Sequence, residues 1–371
     1  MEAPVLFDTV RTASGHAFGR VTLNNPAVLN ALSLPMIDLL DPQLTAWADD
    51  PQIAGVVLDA VGDRAFCAGG DVVAVYRAIR AAGPGRVPQH ASDFFEREYR
   101  LDFRIHTYPK PILCWGHGIV MGGGIGLLAG ASHRVATPRT RLAMPEIGIG
   151  LYPDVAGSWF LPKMPGRSGL FLALTAAPLT ASDARLAGLA DMVLPHESLS
   201  GVLDAVAAER WQGARESDDA RLTEVLARFA TDDLPDSNLT PHLDRIDAII
   251  GDDGLEEISP RLAALASDAD PWLAHAGATF VKGSPTSAAL SLEMQRRARA
   301  LSLADVFRLE YQASVGCCVH HDFAEGVRAL LVDKDRNPQW RPATLDEVSP
   351  DLIEAHLAPR FEGPHPLSDL G

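Results

Sequence analysis

The segment 111–154 constrains this chain more than any other part of its sequence. It begins with the apolar run 111–115, which is short enough to be a buried strand, and continues into the glycine-rich stretch 116–126. A strand, a glycine turn and the start of a helix leave backbone N–H groups free to face an anion. Two carboxylates follow, Glu146 and Asp154. The pattern predicts an N–H site for a developing oxyanion, with two acids that perform proton or acyl chemistry beside it.

Three other interpretations of the glycine-rich stretch have less support. It resembles a membrane helix with small residues four apart, but glycine is a poor helix former in water, Pro111 begins the run and no second span exists. Residues 124–129 fit the loose dinucleotide fingerprint, yet no convincing acid follows at a strand end. Close packing of a helix on a strand explains one or two glycines and leaves the triple glycine unexplained.

Composition excludes several functional classes. The chain is 47% hydrophobic and 22% charged, which is typical of a globular protein and not of a disordered one. A net charge of −16 argues against nucleic acid or an anionic membrane as the main partner. The four cysteines lack metal spacing and lie in apolar contexts, so we expect reduced core thiols in a cytoplasmic protein. Glu2 and Asp8 stand where signal and transit peptides avoid acids, which argues against both.

The order of sequence patterns predicts an α/β fold. Short apolar or β-branched runs indicate strands, for example at 5–10, 17–23 and 54–60. The Gly/Pro/Arg-rich stretch 77–90 predicts a flexible loop. Beyond about residue 197 the sequence changes to helical periodicity. We therefore predict a core at 1–197 that carries the active site, and a helical C-terminal region at 198–371.

Several further residues are candidates for a functional role. Gly70 ends a strand-like run and Asp71 begins a helix, which predicts a second set of exposed N–H groups, although Asp71 alone is better interpreted as a helix cap. A satisfied buried side chain is the commoner outcome for His117. The run 320–322 (His-His-Asp) suggests a metal site, but adjacent side chains point apart and no third ligand is suitably spaced, so we predict no metal. No Gly-x-Ser-x-Gly elbow supports a serine triad.

Three longer motifs stand in order along the sequence: Phe-Cys-Ala-Gly-Gly-Asp at 66–71, His-Gly-Ile-Val-Met-Gly-Gly-Gly at 117–124 and Ala-Met-Pro-Glu-Ile-Gly-Ile-Gly-Leu-Tyr-Pro-Asp at 143–154. Together they resemble the crotonase (enoyl-CoA hydratase/isomerase) superfamily, and more closely its 3-hydroxyisobutyryl-CoA hydrolase branch. The likeness runs from Val21 to about Leu194, resumes at 303–311 and 321–335, and is loose over 200–300. The resemblance implies a crotonase-like spiral of β-β-α turns followed by a helical C-terminal region.

The resemblance also implies roles for single residues. The carbonyl oxygen of an acyl-CoA thioester is expected between the backbone N–H groups of Gly70 and Gly123. Hydratases of the family carry a glutamate three residues after Gly123, paired with one at the place of Glu146, whereas this sequence has Gly126. Without the second acid, hydration loses half of its acid and base machinery. The hydrolase branch has the same gap and an aspartate where Asp154 stands.

The implied reaction is hydrolysis of a short 3-hydroxyacyl-CoA, most closely 3-hydroxyisobutyryl-CoA of valine catabolism. Glu146 lies in an apolar loop, which raises its pKa, and either attacks the thioester to give an anhydride or activates water. Asp154 is expected to bind the 3-hydroxyl group of the substrate, and Glu98, from the Phe-Phe-x-x-Glu-Tyr motif, to support Asp154 or Glu146. The resemblance implies no separate cofactor, because CoA is part of the substrate.

Two alternatives remain open at this point: an enoyl-CoA hydratase or isomerase, and a catalytically silent CoA-binding protein. The family implies a homo-oligomer, usually a trimer, although a longer tail puts that assembly in doubt. Candidates to hold the CoA phosphates are Arg20, Arg64 and Lys282.

Overall fold

The computed structural model of the chain describes residues 3–371, so Glu2, which was used in the targeting prediction, lies outside the described residues. The strands of the described part are β1 (Val5–Arg11), β2 (Ala17–Leu23), β3 (Ile53–Ala60), β4 (Ala65–Cys67), β5 (Ile112–Gly116), β6 (Ile119–Met121), β7 (His133–Ala136), β8 (Arg141–Ala143) and β9 (Met192–Val193). Its helices are α1 (Leu34–Asp49), α2 (Val72–Ala82), α3 (Gln89–His106), α4 (Gly123–Ala129), α5 (Gly157–Phe160), α6 (Ser168–Thr175), α7 (Ala181–Leu186), α8 (Leu199–Ala208), α9 (Arg215–Ala227), α10 (Leu243–Ile250), α11 (Leu255–Ala264), α12 (Pro271–Lys282), α13 (Pro285–Ala298), α14 (Leu303–Val319), α15 (His321–Val327) and α16 (Pro350–Leu357).

From β3 to β9, successive strands alternate between two sheets. The larger sheet has the order β1-β2-β3-β5-β7-β9, in which only the β1–β2 pair is antiparallel. The smaller sheet has the order β4-β6-β8. From β3 onwards, each strand of the larger sheet is followed in the chain by one of the smaller sheet, up to β8. This repeat confirms the predicted α/β fold and its spiral of β-β-α turns.

The chain divides into two compact units. The sheet unit comprises the residues up to Gly70, Leu101–Leu142 and Leu179–Asn238. Its parallel strands are buried on both faces, as expected for the continuous apolar runs of β3 and β5. Helices α8 and α9 cover the larger sheet, where the rings of Phe18 and Trp211 lie 4.5 Å apart.

The helical unit comprises Asp71–Arg100, Ala143–Pro178 and Leu239–Gly371. Its core contains an aromatic cluster from α3, α14 and α15. The ring of Tyr99 lies 5.7 Å from that of Phe95 and 5.8 Å from that of Phe307, and Phe95 lies 6.5 Å from Phe323. Aromatic pairs of this kind contribute stabilising free energy in addition to that gained from the area they bury.

Two features differ from the expectations from sequence. The compact units do not follow the division predicted at 197/198, because α8 and α9 pack on the larger sheet while two earlier segments group with the C-terminal helices. The loop expected at 77–90 is wrong over its first part, since α2 continues to Ala82. Its alanines and arginines are good helix formers, and Gly83, with a φ of 82°, ends the helix.

Within residues 3–371, no helix is both long and apolar enough to cross a bilayer.

Candidate active site

The two predicted oxyanion loops leave adjacent strands of the smaller sheet. β4 and β6 are parallel and pair Ala65 with Ile119 and Cys67 with Val120. The segments that follow them, 68–70 and 122–123, therefore emerge at the same edge of the sheet. This placement brings together the two loops that the sequence assigned to one oxygen.

The glycines permit direct contact between these loops. Gly69 has a φ of 114° and Gly122 a φ of 47°, which L side chains rarely adopt. A Cβ on Gly124 would overlap the carbonyl oxygen of Cys67, and one on Gly69 would lie 3.5 Å from the carbonyl oxygen of Met121. The positive φ values at Gly69 and Gly122 and the close approach at Gly124 explain the glycines at these three positions.

The amides of Gly70 and Gly123 are available to an acceptor. Gly123 is the first residue of α4, and its N-cap is Gly122, which offers no side chain to bond it. In residues 3–371, neither N–H group donates to an acceptor of the protein. Gly123 is buried and Gly70 is half-buried. Two N–H groups on neighbouring loops are suited to stabilise a developing oxyanion.

A turn at 29–32 holds the first of these loops. The Leu32 N–H donates to the carbonyl oxygen of Gly69 at 2.8 Å, and the Ala68 N–H donates to that of Leu29 at 3.1 Å. Asn30, which is buried and has a φ of 55°, donates its side-chain amide to the carbonyl oxygens of Val61 and Ala65. Asparagine tolerates this left-handed conformation better than most residues, which is the local reason for its presence.

In the helical unit, Glu146 is the first residue of a 3₁₀ turn, Glu146–Ile149. It is 4% exposed, and its Oε2 has no hydrogen-bond partner among the described residues. Burial raises the pKa of this carboxyl well above its ordinary value, and the charge of Asp154 raises it further. A buried carboxyl with one oxygen uncommitted suits a nucleophile or a general base.

Packing behind the turn fixes Glu146. The Ser284 N–H donates to the carbonyl oxygen of Ile147 at 3.0 Å. Gly150, with a φ of 74°, packs directly on the backbone of Asp322, where a Cβ would not fit. The side chain of Asp322 accepts hydrogen bonds from the Ser284 hydroxyl and from a backbone N–H. The turn is therefore held by the starts of α13 and α15.

Asp154 is 5% exposed, and a hydrogen bond of 2.6 Å joins its Oδ2 to the Tyr99 hydroxyl. Burial raises the pKa of Asp154 to about 6, although donation by Tyr99 to the carboxylate form opposes the rise. The two residues that follow, Val155 and Ala156, have φ values of 51° and 68°. Glu310 holds this strained turn because its carboxylate accepts the N–H groups of Ala156 and Ser158 at 2.8 and 3.0 Å.

The described geometry can be compared with known proteins. The family model of enoyl-CoA hydratase/isomerase matches residues 18–357. The chain belongs to the enoyl-CoA hydratase/isomerase family. Among curated relatives, "3-hydroxyisobutyryl-CoA hydrolase, mitochondrial" of Gallus gallus is 40% identical over 341 residues, which cover 92% of this chain and 86% of that protein. The protein of the same name from Homo sapiens is 36% identical over 343 residues, with 91% and 86% covered.

Two solved structures of this family are similar to the chain. A carnitinyl-CoA dehydratase from Mycobacterium thermoresistibile is 37% identical with a TM-score of 0.84, and the match covers 97% of this chain and 98% of that one. An enoyl-CoA hydratase from Rhodobacter sphaeroides 2.4.1 is 35% identical with a TM-score of 0.82, covering 96% and 98%. The fold and the family are therefore shown over nearly the whole chain.

The predicted site residues fall into two groups, one in each unit. Gly70 and Gly123 lie in the sheet unit, while Glu146, Asp154 and Glu98 lie in the helical unit. Glu98 is 2% exposed and lies on α3 next to Tyr99, which contacts Asp154. The catalytic and binding roles of all five residues stay predictions.

Sequence reasoning missed the polar side chains that surround Asp154. These are Tyr99, Tyr152, Glu310 and Ser314. Glu310 and Ser314 lie four residues apart on α14, and both are fully buried. Full burial is unusual for a glutamate. A glutamate and a serine on the apolar face of a predicted helix were the available signal.

Other candidates have structural partners. Asp71 caps α2, accepting from the Ala74 N–H at 3.1 Å, as predicted. His117 is buried and donates from Nε2 to the carbonyl oxygen of Gly62 at 2.6 Å, and burial lowers its pKa. Arg20, a candidate for the CoA phosphates, forms an ion pair of 2.7 Å with buried Asp59. That pairing engages one of the three cations proposed for the phosphates.

Proposed function

We propose that this chain hydrolyses a short 3-hydroxyacyl-CoA thioester, with 3-hydroxyisobutyryl-CoA as the substrate. The similarity that carries this proposal is 36–40% identity, over about nine tenths of the chain, to relatives that bear the name of that hydrolase. The burial of Glu146, with its raised pKa, supports it, because such a carboxyl suits attack on an acyl group.

In this proposal, the backbone N–H groups of Gly70 and Gly123 bind the thioester oxygen. Hydrolysis passes through a tetrahedral oxyanion, and each preorganised donor is worth about 3 kcal/mol in a site that excludes water. The two loops leave neighbouring parallel strands, and neither N–H is used within the described protein. Both facts support a shared acceptor.

Glu146 supplies the second part of the proposed reaction. As a nucleophile, its carboxylate attacks the thioester carbon and the CoA thiolate leaves, giving an anhydride that water then hydrolyses. As a general base, it removes a proton from water while that water attacks the same carbon, and the CoA thiolate then leaves the tetrahedral intermediate. The ionised form is needed in both routes, so activity falls as the pH drops through the pKa of Glu146. We propose that Asp154 accepts a hydrogen bond from the 3-hydroxyl group.

Hydration of an enoyl-CoA is the second candidate, because two similar structures bear the names of a dehydratase and a hydratase. Addition of water to a double bond needs an acid and a base. The position three residues after Gly123 is Gly126, which has no side chain to fill the second role. This absence favours hydrolysis.

A panel of CoA esters distinguishes the two functions. We expect thiol release, read with a thiol-reactive dye, from 3-hydroxyisobutyryl-CoA and little loss of the enoyl absorbance of crotonyl-CoA. Rapid hydration without thiol release would refute the proposal. The absence of both activities would support a silent CoA-binding protein. In this proposal CoA enters only as part of the substrate. The cytoplasmic location and a homo-oligomeric assembly stay predictions.

A further inference from the structure

A chain of hydroxyl groups leads from Asp154 into the interior of the helical unit. The Tyr99 hydroxyl lies 2.6 Å from Asp154 Oδ2 and 2.7 Å from Ser314 Oγ. Ser314 Oγ lies 2.9 Å from the Tyr152 hydroxyl, which lies 2.7 Å from the carbonyl oxygen of Glu310. Tyr99, Tyr152 and Ser314 are fully buried. Each of these four contacts has the length of an O–H···O hydrogen bond.

The four contacts need four protons. Each hydroxyl group has one, so Tyr99, Ser314 and Tyr152 together supply three. The carbonyl oxygen of Glu310 can only accept, which commits the proton of Tyr152 to it. If Asp154 is ionised, it commits the proton of Tyr99, and Ser314 can then serve only one of its two neighbours. Two lone pairs would face each other in the interior.

A proton on Asp154 satisfies all four contacts. Asp154 then donates to Tyr99, Tyr99 to Ser314, Ser314 to Tyr152, and Tyr152 to the carbonyl oxygen of Glu310. All four hydrogen bonds then run in one direction, and each of the three hydroxyl groups both donates and accepts. A buried polar contact without a proton is costly, so the complete chain is the more stable arrangement.

We propose that Asp154 carries the proton of the Glu146–Asp154 acid pair, and that Tyr99, Ser314 and Tyr152 are positioning residues that keep it there. The inference rests on the proposed function for its catalytic consequence. A neutral Asp154 leaves Glu146 as the anion that attacks the thioester or activates water. It also leaves Asp154 Oδ1 as an acceptor for the substrate's 3-hydroxyl group.

The charges that face Asp154 favour this assignment. The ionisable groups known to interact with it among the described residues are Glu146, Glu310, Tyr99, Tyr152 and Cys317. Each of these five is neutral when protonated and anionic when it loses its proton, so none of them supplies a positive charge that would stabilise a carboxylate at this position. Burial raises the pKa of Asp154 to about 6 and that of Glu146 well above its ordinary value, so the count of hydrogen bonds, and not burial, assigns the proton to Asp154. Neutral Asp154 also removes the second cause that raises the pKa of Glu146, and so makes the anion of Glu146 easier to form.

Substitutions in this series of hydrogen bonds distinguish a protonated from an ionised Asp154, because the two states predict opposite shifts of its pKa. In Ser314→Ala and Tyr152→Phe, the number of remaining contacts equals the number of hydroxyl protons, so an ionised Asp154 satisfies every contact. We expect the pKa of Asp154 to fall by about one to two units in both. Tyr99→Phe removes the donor that an Asp154 anion needs, so Asp154 stays protonated. If Asp154 were ionised in the native protein, loss of Ser314 would weaken donation through Tyr99 and raise the pKa instead.

Infrared spectroscopy without substrate measures this proton directly. The band of a protonated carboxylic acid that disappears in Asp154→Asn is assigned to Asp154 and followed with pH in each variant. Ser291→Ala, a buried helical serine that bonds only within α13, is the matched control and titrates as the native protein. A fall in pKa for Ser314→Ala and Tyr152→Phe supports the proposal. An unchanged or raised pKa in both overturns it.

The pH profile of thiol release from 3-hydroxyisobutyryl-CoA gives a separate reading. The alkaline limb of kcat/KM, where neutral Asp154 is lost, should move to lower pH in Ser314→Ala and Tyr152→Phe. If the infrared pKa of Asp154 falls in the two variants but the native protein hydrolyses no 3-hydroxyacyl-CoA, the proton assignment is supported and the proposed function is refuted. Normal hydrolysis with no shift in either reading refutes the assignment and supports the function.

Discussion

Replacing Gly124 with alanine tests the contact between the two oxyanion loops. A Cβ at this position would overlap the carbonyl oxygen of Cys67 and lie 3.0 Å from its carbonyl carbon. An ordinary C···O contact is about 3.3 Å, so the start of α4 must move by about 1 Å. Gly123 precedes this residue directly, and its N–H moves with it. Overpacking of this kind costs about 1–3 kcal/mol of stability.

The effect on catalysis should exceed the effect on folding. A displacement of about 1 Å in a group that binds the transition state lowers the rate by about a hundredfold. We expect that loss in kcat for thiol release from 3-hydroxyisobutyryl-CoA, measured on protein shown to be folded by urea unfolding.

Gly254→Ala is the matched control for this change. The nearest neighbour of its Cβ is the flexible carboxylate of Glu257 at 3.3 Å, and its backbone is extended. The control should keep native activity. A folded Gly124→Ala protein with native kcat would refute the claim that this contact positions the Gly123 amide.

Three further predictions follow from buried polar groups. The two oxygens of the Glu310 carboxyl group each accept one backbone N–H, and Glu310→Gln keeps only one acceptor oxygen. Urea unfolding should therefore show a loss of about 1–3 kcal/mol, with a lower kcat, and an unchanged unfolding midpoint contradicts this. Asn30→Ala leaves the carbonyl oxygen of Ala65 without its donor, and should lower kcat with a similar loss of stability; native kcat argues against a role for the turn. Because burial raises the pKa of Glu310 to about 8, the folded protein holds a proton there that the unfolded chain has released, and this group lowers Tm as the pH rises from about 5 to 8. Buried histidines such as His356, whose pKa is lowered to about 4, act in the opposite direction, so the measured quantity is the difference between proteins. Relative to the native protein, Glu310→Gln should lose Tm mainly at the acid end of this range, and a difference in Tm that does not change with pH would contradict the raised pKa.

The sheet unit was predictable because local patterns determine it. The apolar runs of β3 and β5 need burial on both faces, and the glycines at 69, 122 and 124 mark a positive φ or a close backbone contact. These signals depend on neighbouring residues, so one sequence is enough to read them. The error at 77–82 arose from arginine-rich composition, although its alanines favour a helix.

The surroundings of Asp154 could not be predicted in the same way. Glu310 bonds Ala156 and Ser314 bonds Tyr152, partners that lie more than 150 positions away in the sequence. No local pattern indicates which residues a buried serine or glutamate will contact. The pairing depends on how α3 and α14 pack through Tyr99 and Phe307. Tertiary packing, and not periodicity, sets the hydrogen-bond chain.

Thiol release by Glu146→Gln tests the central claim most directly. The change keeps the size of the side chain and removes the carboxylate that either attacks the thioester or activates water. Turnover of 3-hydroxyisobutyryl-CoA should fall by about a hundred- to ten-thousandfold, while Glu197→Gln, at an exposed glutamate, keeps the native rate. Native turnover in a folded Glu146→Gln protein would contradict the proposed mechanism.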